Sequence, residues 1–213
     1  MAARSDRLTM RPAQILFITG TDTGVGKTVF AALSTVYLRQ NGFRVVALKP
    51  LCSGGRDDAR ILHAAAGKVL LLDEVNPWHF RAALAPVLAA RKEKKQVRLR
   101  EVVAHIRRIA QRWEVVVVEG AGGLLSPLGE DFDSRDLIAA LGATPVIVCA
   151  NKLGAVNQVR LVLAALPQTA ARKARVVLVN PPKPDAASRT NLELLKEFVE
   201  HRCLRVMPWL TQR

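Results

Sequence analysis

Short, wholly apolar runs alternate along the chain with longer stretches in which apolar residues recur at helical spacing. Residues 115–118 (VVVV) and 145–150 (PVIVCA) are continuous apolar runs, which is typical of strands buried on both faces of a sheet. Segments 27–41 and 99–113 instead place apolar residues three or four positions apart, which predicts helices. Strands that alternate with helices of this length predict an α/β fold, with a mostly parallel sheet and helices on both faces.

Turn and cap signals set the predicted boundaries. Gly42 is expected to end the first helix, and Ser134 is expected to cap a helix that ends at Gly142. Residues 52–55 are expected to form a flexible loop, and residues 69–95 receive no clear element because prolines interrupt them. The predicted strands are residues 14–19, 44–48, 114–118, 145–150, 175–180 and 204–207, and the remaining predicted helices are residues 58–66, 155–166 and 186–201. We expect one domain over residues 1–213, with a flexible leader at residues 1–12.

Composition narrows the class of protein. Half of the 213 residues are apolar, which is ample for a buried core, and no apolar run reaches the ~18–20 residues that cross a bilayer. The first residues lack the apolar segment of a secretory signal, so a cytoplasmic protein without membrane contact is expected. Cys52, Cys149 and Cys203 are far apart and lack metal-binding spacing, which predicts reduced thiols.

The formal net charge of +14 is unevenly distributed. Residues 91–112 contain nine Lys or Arg and two Glu. Such a run forms either a solvated helix face or a patch that binds a polyanion. Because aromatic residues are not interleaved with these charges, a solvated face is the preferred interpretation, and nucleic acid is not expected as a partner.

A glycine-rich loop carries the strongest functional signal. The sequence GTDTGVGKT at residues 20–28 stands between a predicted strand and a predicted helix, the context that a phosphate-binding P-loop requires. Backbone N–H groups of such a loop surround phosphate oxygens, and the helix start adds its positive dipole. Lys27 is expected to reach the β- and γ-phosphates of ATP, and the Thr28 hydroxyl is expected to ligate Mg²⁺. With the parallel sheet, this predicts a three-layer P-loop NTPase fold.

Three further polar groups follow predicted strands or open a helix. Ligands of parallel sheets bind beyond the carboxyl ends of the strands, where Lys49 and Glu119 both lie. A carboxylate that ends an apolar strand is costly to bury alone, so Glu119 is expected to bind Mg²⁺ with Asp58 as its partner. The alternatives are a structural salt bridge for Glu119, helix capping for Asp58 and a solvated lysine at position 49.

These residues resemble those of the dethiobiotin synthetases, a family of biotin biosynthesis. The resemblance covers nearly the whole chain and rests on short motifs in order. They are GTDTGVGKT at 20–28, KPLCSGG at 49–55, NPWHF at 76–80, APVLAA at 85–90, VEGAGGLLSPL at 118–128, PVIVCANKLGAVN at 145–157 and PWL at 208–210.

The resemblance implies a homodimeric, cytosolic enzyme that uses MgATP to convert 7,8-diaminopelargonic acid and CO₂ into dethiobiotin. In that family a carbamate forms on one amine, ATP phosphorylates it, and the second amine closes a cyclic urea. The implied catalytic residues are Lys27, Lys49 and Ser53, and the implied metal ligands are Thr28, Asp58 and Glu119. The implied nucleotide-binding residues are Thr23, Gly24, Val25, Gly26, Lys27, Thr28, Glu119 and Asn180. The implied substrate-binding residues are Lys49, Ser53 and, reaching across from the neighbouring subunit, Gly154, Ala155, Val156 and Asn157.

Three other functions remain open from the sequence. One is a related P-loop synthetase or amidotransferase that acts on another substrate. Another is a partitioning-type ATPase switch that binds a partner or nucleic acid, although that class carries an early loop lysine where this chain has Thr21, Asp22 and Thr23. The third is an inactive paralogue that keeps the nucleotide site as a scaffold.

Overall fold

The computed structural model describes residues 12–210, and its centre is a six-stranded sheet in which every paired strand is parallel. The strands of this sheet are β1 (Gln14–Gly20), β2 (Val45–Leu48), β5 (Val115–Glu119), β6 (Thr144–Ala150), β7 (Arg175–Val179) and β8 (Leu204–Met207), in the spatial order β2-β5-β1-β6-β7-β8. β3 (Leu51–Ser53) and β4 (Trp78–Phe80) pair in parallel as a separate small sheet. The predicted parallel sheet is therefore confirmed.

Helices connect the strands in the alternation that the apolar pattern predicted. They are α1 (Lys27–Gln40), α2 (Asp57–Ala65), α3 (Leu72–Val75), α4 (Pro86–Lys92), α5 (Leu99–Ala110), α6 (Ser134–Leu141), α7 (Ala155–Ala165), α8 (Gln168–Ala171) and α9 (Ala186–Lys196). In α5, Val102, Ile106 and Ile109 are buried at spacings of three and four residues, which is the apolar stripe seen in the sequence. The described helices are too short or too polar to cross a membrane.

The core lies on β1 and on the two strands that flank it, β5 and β6. All five residues of β5 are buried, and the register sets Ile18 of β1 opposite Glu119. On the other side of β1, Gly20 pairs with Val148 of β6. Because the strands are parallel, their carboxyl ends share one edge of the sheet, and the loops that follow them meet there.

The segment between β2 and α5 differs from the prediction. Residues 52–55 were expected to be a loop, but Cys52 and Ser53 belong to β3 and pair with His79 and Phe80 of β4. Asn76 explains how such short strands are held. Its buried side chain donates to the carbonyl of Lys49 at 2.8 Å, so the chain before β4 is fastened to the end of β2.

Two further boundaries correct the sequence prediction. Asp133, not Ser134, caps α6, because its carboxylate accepts hydrogen bonds from the N–H groups of Arg135 and Asp136. The last long helix ends at Lys196 rather than at residue 201, and a 3₁₀ turn precedes β8. Apart from residue 12, the leader predicted for residues 1–12 lies outside the described residues.

The basic segment 91–112 covers the end of α4 and the whole of α5. All nine of its Lys and Arg side chains are exposed. Three of them pair with carboxylates: Arg91 with Glu130 at 2.7 Å, Lys95 with Glu93 at 2.8 Å and Arg108 with Glu74 at 3.8 Å. The segment therefore forms a solvated, partly neutralised face.

Candidate functional site

The glycine-rich loop joins β1 to α1 and turns back over the start of the helix. Gly24 and Gly26 have φ angles of 73° and 95°, in the left-handed region that glycine adopts without strain. Gly26 is also the N-cap of α1, and a Cβ there would lie 3.4 Å from a methyl group of Val179 on β7. The loop thus packs against β7 and leads directly into the N-terminus of α1, the place where helices bind phosphate.

Lys27 is the first residue of α1, and its side chain is almost fully buried. Its ammonium donates to the carbonyl of Asp22 at 2.7 Å, across the loop. Burial, reinforced by the positive charge of Lys49, lowers the pKa of Lys27 to about 8. An anionic ligand bound beside Lys27 would therefore stabilise the charged form of this lysine.

Glu119 connects two of the other residues that the sequence singled out, Thr28 and Lys49. The residue is 1% exposed, and one oxygen, Oε1, accepts from the Thr28 hydroxyl at 2.9 Å and from the Lys49 ammonium at 2.6 Å. Lys49 also donates to the carbonyl of Gly120 at 3.0 Å. The ends of β2 and β5 and the start of α1 therefore converge on one carboxylate.

Lys49 is a buried member of an ion-pair cluster. Its ammonium lies 3.3 Å from Asp58, which is half exposed on the first turn of α2. Burial alone would lower the pKa of Lys49, but the carboxylates of Glu119 and Asp58 raise it above its ordinary value. The solvated lysine is therefore excluded, and helix capping does not account for Asp58, because the N-cap is Arg56 and no side chain caps α2.

The donor set of this cluster fits a magnesium ion. The second oxygen of Glu119, Oε2, is buried and has no hydrogen-bond partner in the part of the chain that the structure describes, so it is available to a cation. The Thr28 hydroxyl donates a hydrogen bond to Glu119, and the lone pairs of its oxygen remain available to a metal. Within residues 12–210 no group of three or more His, Cys, Asp or Glu could hold a metal. Mg²⁺ matches this sparse set, because it is commonly held by one or two carboxylates together with substrate phosphates and water.

Ser53 lies beside this cluster, on the small sheet. Its hydroxyl donates to the carbonyl of Leu84 at 2.6 Å, and His79 bonds the carbonyl of Gly54 at 2.8 Å. Gly54 has a φ of 78°, and a Cβ at this position would lie 3.2 Å from Ala83. Ser53 thus follows Lys49 by four residues, but its hydroxyl is engaged with the chain after β4.

The remaining predicted residues lie at the same edge of the sheet without touching the cluster. Gly154 is the N-cap of α7, with a φ of 88°, and the exposed Asn157 lies in the first turn of that helix. Asn180 directly follows β7, and its N–H bonds the carbonyl of Met207. No hydrogen bond or ion pair among the described residues joins these groups to Lys27 or Glu119, so their roles stay predictions.

Sequence reasoning missed two kinds of supporting residue. Arg56 forms a fork that reaches Asn76, Asp73 and the carbonyl of Leu72, at distances from 2.8 to 3.4 Å. Asn151 and Asn191 form a buried amide network beneath Asn180. The only available signal was that Asn151 directly follows the apolar strand β6, where a buried polar side chain needs partners.

A parallel sheet with a glycine-rich loop after its first strand, a buried lysine at the helix start and an acidic strand end defines a P-loop nucleotide-binding protein. A family model described as an AAA domain matches residues 14–213. Over 199 residues the chain is 40% identical to an ATP-dependent dethiobiotin synthetase of Anaeromyxobacter dehalogenans, covering 91% of this chain and 89% of that protein. The chain belongs to the dethiobiotin synthetase family.

Further comparisons agree. A Bacillus subtilis ATP-dependent dethiobiotin synthetase is 34% identical over 200 residues, which cover 91% of this chain and 87% of that protein. Among solved structures, a ParA family ATPase from Chlorobium tepidum superposes with a TM-score of 0.57 at 14% identity, over 92% of this chain and 85% of that chain. The MinC:MinD complex of Aquifex aeolicus gives 0.56 at 16% identity, over 92% of this chain and 81% of that chain. The two structural likenesses show the P-loop fold alone.

Proposed function

We propose that the protein uses ATP to carboxylate and cyclise 7,8-diaminopelargonic acid, with CO₂, to dethiobiotin. The proposal rests on membership of the family and on one observation of this structure. The buried Lys49 ammonium stands between the phosphate loop and the small sheet, bonded to Glu119 and 3.3 Å from Asp58. A fixed cation in that place suits an anion that forms next to the γ-phosphate of ATP.

The chemistry runs in three steps. The lone pair of a neutral amine attacks the carbon of CO₂, and loss of a proton leaves a carbamate. A carbamate oxygen then attacks the γ-phosphorus of ATP, and ADP leaves. The second amine attacks the carbamoyl carbon, inorganic phosphate leaves with its bridging oxygen, and loss of a proton completes the cyclic urea.

The chain's own charged groups favour the first step. An alkyl amine is protonated at neutral pH, whereas only its neutral form attacks CO₂. The ammonium groups of Lys27 and Lys49 disfavour a third cation nearby and stabilise the carbamate anion that replaces it. Ser53 offers a hydroxyl donor to the same anion once it exchanges its bond to Leu84.

Phosphoryl transfer needs positioning and charge neutralisation more than covalent help from the protein. Lys27 and the N–H groups of residues 23–28 hold the phosphates in line with the carbamate. Thr28, Asp58 and Glu119 would hold Mg²⁺, which supplies neutralisation of the phosphate charge when bound. Asn180 is assigned to the base of ATP.

The finer assignments on partners belong to the same proposal. We place the enzyme in the cytoplasm as a homodimer in which Gly154, Ala155, Val156 and Asn157 of one subunit approach the substrate carboxylate of the other. The exposed apolar side chains near this segment support such an interface, since Leu153 is 84% exposed and Leu161 is 61% exposed.

The test is turnover of the purified protein with and without each substrate. ADP release should require both 7,8-diaminopelargonic acid and bicarbonate, and mass spectrometry should detect the cyclic urea. ATP hydrolysis that depends on DNA and ignores the diamine would overturn the proposal in favour of a partitioning-type switch. Nucleotide binding by calorimetry without any diamine-dependent turnover would instead indicate an inactive paralogue that keeps the nucleotide site.

A further inference from the structure

Three buried or half-buried asparagines form a chain of amide hydrogen bonds behind the nucleotide site. Asn151 follows β6, Asn180 follows β7, and Asn191 lies on α9. The Nδ2 group of Asn191 donates to Oδ1 of Asn151 at 2.9 Å, and Nδ2 of Asn151 donates to Oδ1 of Asn180 at 2.7 Å. The exposed fractions of Asn151 and Asn191 are only 2% and 7%.

The amide of Asn151 has a single possible orientation. Both protons of its Nδ2 are used, because it also donates to the carbonyl of Ser188 at 2.7 Å. Its Oδ1 accepts from Asn191, which in turn is fixed by donating to the carbonyl of Lys152 at 2.9 Å. If the side-chain oxygen and nitrogen of Asn151 changed places, an oxygen would face both Oδ1 of Asn180 and the carbonyl of Ser188. All of these atoms are acceptors, so both partners would lose their hydrogen bond.

The orientation of Asn180 follows from that of Asn151. Backbone bonds place the two residues side by side, since the N–H of Asn151 bonds the carbonyl of Val179 and the N–H of Asn180 bonds the carbonyl of Met207. Val179 is also the residue against which Gly26 of the phosphate loop rests. With Oδ1 turned toward Asn151, Asn180 presents its Nδ2 donor and one remaining oxygen lone pair at the nucleotide edge of the sheet.

A fixed amide of this kind distinguishes purines. The edge of adenine with N6 and N7 offers a donor beside an acceptor, which an asparagine matches with two hydrogen bonds, whereas the same edge of guanine offers two acceptors. An amide free to turn over would lose part of this discrimination. We infer that Asn151, supported by Asn191, is a positioning residue that sets the preference for adenine over guanine through Asn180. The inference rests on the proposed role of Asn180 at the base.

Equilibrium binding tests the inference without relying on turnover. Calorimetry with the imidodiphosphate analogues of ATP and GTP, in the presence of Mg²⁺, gives a ratio of the two dissociation constants for each variant. Asn151→Asp keeps the shape of the side chain but removes its donors, so Asn180 should turn to donate toward position 151. The ATP-to-GTP preference should fall roughly tenfold, the range expected for losing one paired base contact. Asn151→Leu allows the Asn180 amide to turn over but does not force it to do so. This variant should therefore show a smaller loss of the ATP-to-GTP preference.

Controls separate positioning from general loosening. Asp185→Ala removes the N-cap of α9, where its carboxylate accepts from the N–H of Ser188, and leaves the bond between Asn151 and Asn180 intact. This variant should lower the unfolding temperature and keep the wild-type preference. An equal loss of preference in Asp185→Ala would overturn the inference, since a loose α9 would then suffice.

The remaining outcomes distinguish this inference from the proposed function. Asn180→Ala should abolish the preference; an unchanged ratio would remove Asn180 from the base site and overturn the inference. If Asn180→Ala loses the preference and both Asn151 variants keep it, the inference is wrong and the proposed function stands. If wild-type protein binds the adenine analogue selectively but shows no diamine-dependent turnover, the proposed function fails while the binding ratios still decide the role of Asn151. In an active enzyme, Asn151→Asp should raise KM for ATP with little change in kcat or in KM for the diamine.

Discussion

The two sides of the candidate site are built in different ways. The phosphate side consists of residues 20–28, Lys49 and Glu119, at the ends of long strands buried in the main sheet. The small-sheet region, residues 51–85, combines two strands of three residues with the short helices α2 and α3, and side-chain bonds such as those of Ser53 and His79 to backbone carbonyls hold its strands. The strands of the main sheet therefore fix the charged groups that bind the phosphates. A few local hydrogen bonds, in contrast, shape the pocket for the organic substrate. Damage to the first should remove chemistry, and damage to the second should weaken substrate binding.

The largest expected effect is that of Lys27→Ala. Removing the ammonium that crosses the phosphate loop to the carbonyl of Asp22 should lower kcat/KM for ATP by about 10³, a loss comparable to that of an electrostatic transition-state group. Because the lowered pKa shows that this cation is not favoured by its buried surroundings, thermal unfolding should change little. Turnover at the wild-type rate would defeat the assignment of the phosphate side.

Glu119→Gln should produce the next largest effect, and it should be visible in stability. The buried Lys49 ammonium would lose its nearest counter-charge, and the free energy of unfolding should fall by about 3 kcal/mol. Urea denaturation measures this. The double variant Lys49→Met with Glu119→Gln should recover much of the stability but no activity, and a double variant as unstable as the single one would contradict the ion-pair account.

The pH dependence of kcat/KM for ATP should report on the phosphate side alone, through the ionisation of Lys27. The pKa of Lys27 is about 8, so this group loses its charge as the pH rises through that value, and only the charged form attracts phosphate. We expect kcat/KM for ATP to fall about tenfold by pH 9, since this parameter follows the ionisation of the free enzyme. Lys27→Arg keeps its charge at every pH in this range and should flatten the profile, at lower overall activity. An unaltered fall in the arginine variant would assign the titration to another group.

The smallest expected effect sharpens the comparison from the other side. Arg56→Met removes the fork that ties the start of α2 to Asn76 and Asp73, and it should cost ~1 kcal/mol of stability. KM for the diamine should rise several-fold while KM for ATP stays constant. Arg60→Met, which breaks only an exposed pair with Asp57, is the matched control and should change neither constant. A rise in KM for ATP with Arg56→Met would show that the two sides are not separable.

The same division explains what the sequence could predict. Strands β1, β2, β5, β6 and β7 were anticipated within about two residues, because four or more consecutive apolar residues leave few other structures. β8 was also anticipated, although Arg205 interrupts its apolar residues. The convergence of Thr28, Lys49 and Glu119 was also anticipated, since parallel strand ends meet at one edge. β3 and β4 escaped because three-residue strands are too short to show a period. Their positions depend on Asn76 and Arg56, whose partners are distant in sequence.

The sequence also could not show which of two neighbouring side chains makes a given contact. Both Asp133 and Ser134 suit a helix start, and only the folded chain shows that Asp133 reaches the N–H groups of α6. The amide chain through Asn151 depends on packing between β6, β7 and α9, which no local pattern encodes. The roles of Asn180, and of residues 154–157 across a subunit interface, remain predictions because the described contacts do not test them.

The shared oxygen of Glu119 has a consequence for the energetics of nucleotide binding. Thr28 and Lys49 are held on that oxygen by folding itself, so their side-chain freedom is lost before any nucleotide arrives. When the nucleotide binds, these two side chains exchange partners within the protein for phosphate and metal. No loose side chain has to be ordered, so the entropic penalty of association is lower. The chain thus achieves preorganisation of two ligand-binding groups with a single carboxylate.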